Sequence, residues 1–269
     1  MATLQPSLPN VRRVPKSFTT TVTSLLLLLA MILAGRWLDP ATAWLLILAL
    51  MGTMFLFLGS WICGQPFGIL VSERNLMSLG RFQTVLWTWL LLSAYFAVVL
   101  LRIGVGLDKI PDPLAVGVDK NLWALLGIST ASLVGSPLLL EAKRRKETPE
   151  SAVDTAAKVL KEDAPEIKAN SQGTLYSNPK PEDAALTDMF QGEEIGNTAY
   201  VDIAKLQMFF FTVIVAFSYG YALWHMFAQQ KATEISQLPS PSPGMLGLLG
   251  ISHAGYLGGK TVDYTPPKQ

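Results

Sequence analysis

Leu125-Leu126-Gly127-Ile128-Ser129-Thr130-Ala131-Ser132-Leu133-Val134-Gly135 recurs near the end of the chain. The second copy is Leu248-Leu249-Gly250-Ile251-Ser252-His253-Ala254-Gly255-Tyr256-Leu257-Gly258, with seven of eleven positions identical. Each copy holds Gly-x3-Ala-x3-Gly: Gly127, Ala131 and Gly135 in the first, Gly250, Ala254 and Gly258 in the second. On a helix, residues four apart lie one above the other. A stripe of small residues lets another helix backbone approach closely inside a bilayer. These six residues are therefore expected to be helix-packing positions. The two stripes should meet, or each should receive the glutamine-bearing helix of a repeat. The fold that follows is an all-α integral membrane protein. It has five to six transmembrane helices and a parallel internal duplication of a two-helix unit.

Composition agrees with this reading. Of 269 residues, 50% are hydrophobic and 15% charged, and the mean hydropathy is +0.36. Soluble chains average roughly 25% charged residues. A net charge of +1 gives no pull toward nucleic acid. The single cysteine, Cys63, excludes an intrachain disulfide and a multi-cysteine metal site. The sequence holds two histidines, His225 and His253, and neither HExxH, GxxxxGK[ST] nor GxGxxG. No metal, cofactor or catalytic set is expected.

Around the repeats the chain divides as follows. Residues 1–16, with Arg12, Arg13 and Lys16, read as a cytoplasmic arm. A cleaved signal peptide is the rival reading, since a basic region precedes an apolar run. Against it, no clear A-x-A site follows and a second apolar run starts within six residues. Residues 17–63 form a transmembrane hairpin, with apolar runs at 18–35 and 41–63 and a turn at Asp39-Pro40. About 20 residues suffice to cross ~30 Å of hydrocarbon. Repeat 1 (68–141) has an N-cap at Ser78, apolar runs at 82–101 and 122–140, and a polar loop between them. The polar segment 142–200 is too small and apolar-poor for a core of its own. Partial disorder is expected there, with short helices near 151–161 and 183–190. Repeat 2 (201–262) has an N-cap at Asp202, an apolar run at 206–224 and a glycine-rich run at 244–259. That last run is short, and it either spans or re-enters. Residues 263–269 close the chain as a tail.

The duplication extends beyond the opening motif. Setting 78–95 against 202–219 matches Gln83 with Gln207, Thr88 with Thr212 and Tyr95 with Tyr219 at one offset. The distance from glutamine to glycine stripe is 44 residues in repeat 1 and 43 in repeat 2. Lys and Arg near the span ends favour a cytoplasmic N-terminus. Trp37, Trp44, Trp123 and Trp224 then form an outer aromatic belt, with Trp61 at the inner one.

Few residues invite chemistry. His253 is an ionisable group near mid-membrane, which makes it a functional candidate by position; a neutral histidine bonded to a neighbouring helix is the plainer reading. Gln83 and Gln207 are further polar candidates, again with interhelical hydrogen bonding as the plainer role. Lys143, Arg144, Arg145 and Lys146 read as a topology signal, or as a docking patch for anionic lipid or protein. Glu193-Glu194 reads as a solvated turn.

Gly68-Ile69-Leu70-Val71-Ser72-Glu73-Arg74-Asn75 leads into Ser78-Leu79-Gly80-Arg81-Phe82-Gln83 and Leu86-Trp87-Thr88. These stretches, with Asp202-Ile203-Ala204-Lys205-Leu206-Gln207-Met208-Phe209-Phe210 and the Gly-Ile-Ser-His segment, resemble a group of bacterial multi-pass inner-membrane proteins. The shared motifs are SLxRFQxxLWT and LLGIS, and the group has no assigned activity. The resemblance implies a bacterial inner-membrane setting and carries over no catalytic residues.

The functional expectation is a non-enzymatic membrane protein that anchors a partner complex through its cytoplasmic segment 142–200. The alternative is a small-solute or ion pathway between the repeats, in a homo-oligomer or not. The expected partners are the lipid bilayer, a cytoplasmic protein and further copies of the chain, and no nucleic acid.

Overall fold

The computed structural model describes residues 18–265; the expected arm at 1–16 and the tail beyond Thr265 lie outside the described residues. Among the described residues regular structure is helical, with only isolated β-bridges. The α-helices are α1 (Phe18–Trp37), α2 (Pro40–Cys63), α3 (Leu79–Val105), α4 (Lys120–Arg144), α5 (Glu150–Leu160), α6 (Ala164–Asn170), α7 (Ile203–Gln229) and α8 (Pro243–Thr261). Five of them, α1 to α4 and α7, are long and apolar enough to cross a membrane.

Local chemistry explains the boundaries. The Asp39 carboxylate accepts from the Thr42 amide at 3.1 Å, and Pro40 occupies the first turn of α2, where its missing N–H costs nothing. Gly64 ends α2 at φ +77°, a left-handed conformation that favours glycine. Ser78 caps α3 through the Arg81 amide, and Asp202 caps α7 through Ala204 and Lys205. Asp119 and Ser242 cap α4 and α8 in the same way.

The α1–α2 hairpin packs on α3, and α2 also touches α7. Trp44 is fully inside this core. It stacks on Phe227 at 5.3 Å between ring centroids and donates to Ser93 Oγ at 3.3 Å. Its expected place in an aromatic belt is thus corrected: a partner hydroxyl on α3 lets the indole be buried. Trp37 and Trp123 remain exposed. Leu25, Leu26 and Leu29 on α1 and Phe217 on α7 present an apolar surface suited to acyl chains.

α8 lies beside α4 from end to end. At one end Asn121 donates to the Pro241 carbonyl and Ser240 donates to Asp119. At the other, Lys143 reaches the Val262 carbonyl and Lys146 pairs with Asp263. With 19 residues, α8 is about 28 Å long at 1.5 Å per residue. It runs parallel to α4.

The contact between α4 and α8 is not made by the small-residue stripes. Gly127 and Gly258 have open space where a side chain would project, and Ala131 and Ala254 are exposed. Gly250 and Gly135 approach only the side-chain ends of Ile128 and Leu257. The buried faces are instead Leu125, Ser129 and Ser132 on α4 and Leu249, Ser252, His253 and Tyr256 on α8. The expectation that the stripes meet is therefore corrected. Hydroxyls and an imidazole need hydrogen-bond partners inside a bilayer, whereas glycine has no side chain to satisfy.

The expected partly disordered segment at 142–200 is folded. Val153, Ala156, Ile167, Tyr176 and Ile195 form a small core, completed by Leu76 from the segment before α3. The helix expected near 151–161 is α5; the one expected near 183–190 is two 3₁₀ turns, Pro181–Asp183 and Leu186–Phe190. Surface borrowed from outside the segment makes up for its small size. This cap takes Leu76 from outside itself, and its Ala184 and Met189 pack with Leu70, Met77, Met208 and Tyr256. Asn75 and Asn178 exchange side-chain-to-backbone hydrogen bonds at 2.9 and 3.0 Å, stitching the two segments together.

Candidate functional site

The cap meets the helix ends through buried charges. Glu193 accepts from Arg74 Nη2 at 2.7 Å, lies 3.2 Å from Lys205 Nζ and contacts Lys260 Nζ. Its neighbour Glu194 accepts from Lys143 Nζ at 2.6 Å and from the amides of Tyr264 and Thr265 at 3.1 and 2.8 Å. Thus four cations from the segment before α3 and from α4, α7 and α8 converge on two adjacent carboxylates. All six groups are buried or nearly so. A charge removed from water must be paired and hydrogen-bonded, or it costs several kcal/mol. The remaining donors of these cations are used accordingly. Arg74 also donates to the Tyr176 and Glu193 carbonyls, Lys205 to the Gln191 carbonyl, and Lys260 sits 4.4 Å from the Tyr256 ring centre. Burial pulls the Arg74 guanidinium down to about 10, so it stays charged at neutral pH. Burial also raises the Asp188 carboxyl; the amides of Ala185 and Met77 hydrogen-bond its charged form and oppose the shift.

Beside this network a cavity of about 370 Å³ opens between α3, α4 and the cap. Arg74, Lys205, Glu193 and Asp188 form its inner wall, while Arg81, Arg144 and Glu73 also line it. Leu79, Val85, Leu133 and Leu140 add an apolar side. Pro137 lies within α4 and offers no N–H to the Leu133 carbonyl, so an acceptor is freed beside the cavity.

Ser132 belongs to the lining as well and connects the cavity to the middle of the bundle. Its Oγ is 2.6 Å from His253 Nδ1. His253 is buried, and its Nε2 has no hydrogen-bond partner of normal geometry, although the Ile128 carbonyl is near enough to act on the ring. On the facing helices, Gln83 Nε2 donates to Thr212 Oγ1 at 2.5 Å. Gln83 Oε1, Trp87 Nε1, Tyr219 Oη and Ser252 Oγ are buried without partners. Trp87 and Tyr219 meet edge to face, with 6.3 Å between ring centroids.

The candidate residues read from sequence thus separate. His253 and Gln83 lie inside the bundle, while Gln207, the match of Gln83, is exposed. Lys143 is buried on Glu194 and is not a free docking group; the docking-patch reading is corrected for it, because its partner in the cap takes its charge. Arg144 and Arg145 pair with Glu141, and Lys146 pairs with Asp263. Glu193-Glu194, read as a solvated turn, is the anionic centre of the network. One signal could have found it: Lys143, Lys205 and Lys260 stand at three apolar helix ends assigned to the same side, beside a segment containing two adjacent glutamates. Arg102, placed in a polar loop by sequence, lies buried in the last turn of α3 and donates to the carbonyls of Ala115 and Ile235. No protein-family model, curated protein or solved structure matches the chain.

Proposed function

We propose that the chain is a non-enzymatic membrane protein that holds a rigid cap at one bilayer face to anchor a partner protein. The ion network carries this reading, since Glu193 and Glu194 pin the cap to the ends of α4, α7 and α8. A surface already ordered loses less entropy on binding than a loose loop. The cap holds an apolar groove of about 290 Å³ between α5 and residues 195–200, flanked by exposed Val159, Tyr200 and Tyr264. Aromatic side chains beside a groove suit a protein partner. Both glutamates are occupied by cations or amides, which suits a structural role rather than proton transfer.

The membrane in this reading is a bacterial inner membrane with a cytoplasmic N-terminus, supported by the Lys/Arg bias and the family resemblance. The α3–α4 and α7–α8 pairs are two copies of one unit, supported by the matched caps and by parallel α4 and α8. Their connecting loops also pair, with a Gly117 amide to Ser236 carbonyl bond of 2.8 Å. Photocrosslinking probes placed at Val159 and Tyr200 in native membranes test the anchor. Both should trap the same protein, and a probe at lipid-facing Leu28 should not. No protein adduct from either cap position, or the same adduct from Leu28, would reject the reading.

One observation favours a second reading, a small-solute or ion pathway. The bundle buries unpartnered polar atoms of Gln83, Trp87, Tyr219 and Ser252, and Ser132, which lines the cavity, bonds buried His253. Buried polar atoms of this kind commonly bind water. Flux unchanged in both His253→Ala and Gly250→Leu would remove this reading.

A further inference from the structure

The cavity between α3, α4 and the cap has a charge imbalance that the anchor reading does not use. Glu193 serves three cations, Arg74, Lys205 and Lys260. Two of them, Arg74 and Lys205, line the cavity together with Arg81 and Arg144. Against these four stand Glu193, Asp188 and Glu73 in the lining. Asp188 accepts from two backbone amides at 2.9 and 3.1 Å rather than from a cation. Glu73 pairs with Arg81 at 2.5 Å, but its side chain is 65% exposed, so it can swing away into solvent. The Nε of Arg144 is buried without any partner, and the nearest carboxylate oxygen to its Nη1 is 3.8 Å away, on Glu141. Donors and positive charge are thus in slight excess along a partly open cleft.

We propose that this cavity binds a phosphate-class anion. Arg81 and Arg144 contact the anion, and the Arg74–Lys205 wall supplies positive potential. Arginine's planar fork suits phosphate oxygens, and a charge-assisted hydrogen bond would satisfy the orphan Nε. Glu73 holds Arg81 until the anion replaces it. The freed Leu133 carbonyl can accept from a hydroxyl on the ligand, such as that of a glycerol headgroup. The apolar side formed by Val85, Leu133 and Leu140 fits an acyl chain. Two sources share this chemistry: an anionic phospholipid headgroup and a soluble phosphate.

The experiment uses the full-length protein purified in mild detergent. Binding of phosphatidylglycerol, phosphatidylcholine and inorganic phosphate is measured by native mass spectrometry and thermal shift. Saturable binding of phosphatidylglycerol but not of phosphatidylcholine or inorganic phosphate assigns the lipid source. Saturable binding of inorganic phosphate assigns the soluble one. In either case Arg144→Gln should weaken binding about tenfold or more, the size of one charge-assisted hydrogen bond. Arg145→Gln removes an exposed charge one residue away, 79% exposed at the side chain, and should leave affinity within about twofold, as expected for a screened surface charge. Thr84→Phe fills the cavity without removing a charge and should also abolish binding, which keeps the test valid if Arg144→Gln misfolds. Equal losses for Arg144→Gln and Arg145→Gln would overturn the proposal, as would full affinity in Thr84→Phe or no saturable binding of any probe.

Discussion

At the cap end of the bundle, Glu194 accepts hydrogen bonds from Lys143, Tyr264 and Thr265. Deeper in the bundle, Trp87 Nε1 and Tyr219 Oη are buried with no acceptor or donor in reach. Both regions bury polar atoms among helices, and they handle them in opposite ways. At the cap end, the Glu193 and Glu194 carboxylates are matched by cations and amides, because an ionised group left alone in low dielectric costs far more than a neutral one. In the middle the groups are neutral, and each unpaired atom costs only about 1–3 kcal/mol. Around these two carboxylates pairing is strictest, where the penalty for failure is largest.

The sharpest way to break this contrast is Glu194→Ala. It leaves buried Lys143 without its carboxylate, and unfolding in detergent should lose about 3–5 kcal/mol, with part recovered in the Glu194→Ala/Lys143→Met double variant. Full additivity of the two changes would contradict the pairing. Next in size is Ser132→Ala, which strips the bond at His253 Nδ1 and should cost about 1–3 kcal/mol in the same melt. Tyr219→Phe removes a hydroxyl that bonds nothing. It should be neutral or stabilise by up to about 1 kcal/mol, and a clear loss would reveal a bound water or ligand. Gly127→Leu meets open space and should leave monomer stability unchanged. If light scattering finds an oligomer that this variant dissociates, the outward stripe is an interface between copies. The smallest effect is with pH. The Asp263 carboxyl is held below its usual 3.8, first by its hydrogen bond from Lys146. Its contribution is present above that value and fades as pH falls through the folded-state value. Lys146→Ala should flatten this slight acid dependence.

Much of the fold can be read from local signals. Ser78 and Asp202 announce helix starts, Asp39-Pro40 announces a turn, and Gly64 an end, each acting within three or four residues. The facing of helices is not local. Gln83 and Gln207 occupy matched positions, yet one is sealed against Thr212 and the other is exposed. Nothing within either helix distinguishes them; the neighbour that covers Gln83 does. The site was hidden for the same reason. Lys143 and Glu194 are 51 residues apart, Lys260 and Glu193 67, and Arg74 and Glu193 119. Read singly, Lys143 is a topology signal and the glutamates are a solvated turn. Only the fold brings them together, and it is Leu76, from outside the cap, that completes the cap's core.

Hydrogen exchange on the full chain in detergent or a nanodisc tests the ion-locked cap most directly. The amides of Tyr176 and Ile195, bonded to the carbonyls of Glu193 and Thr174, and that of Thr265, bonded to Glu194, are the reporters. The account predicts slow exchange at all three in the native chain and faster exchange at all three in Glu194→Ala, with the amides of α3 unchanged. Fast exchange at these amides in the native chain would contradict it.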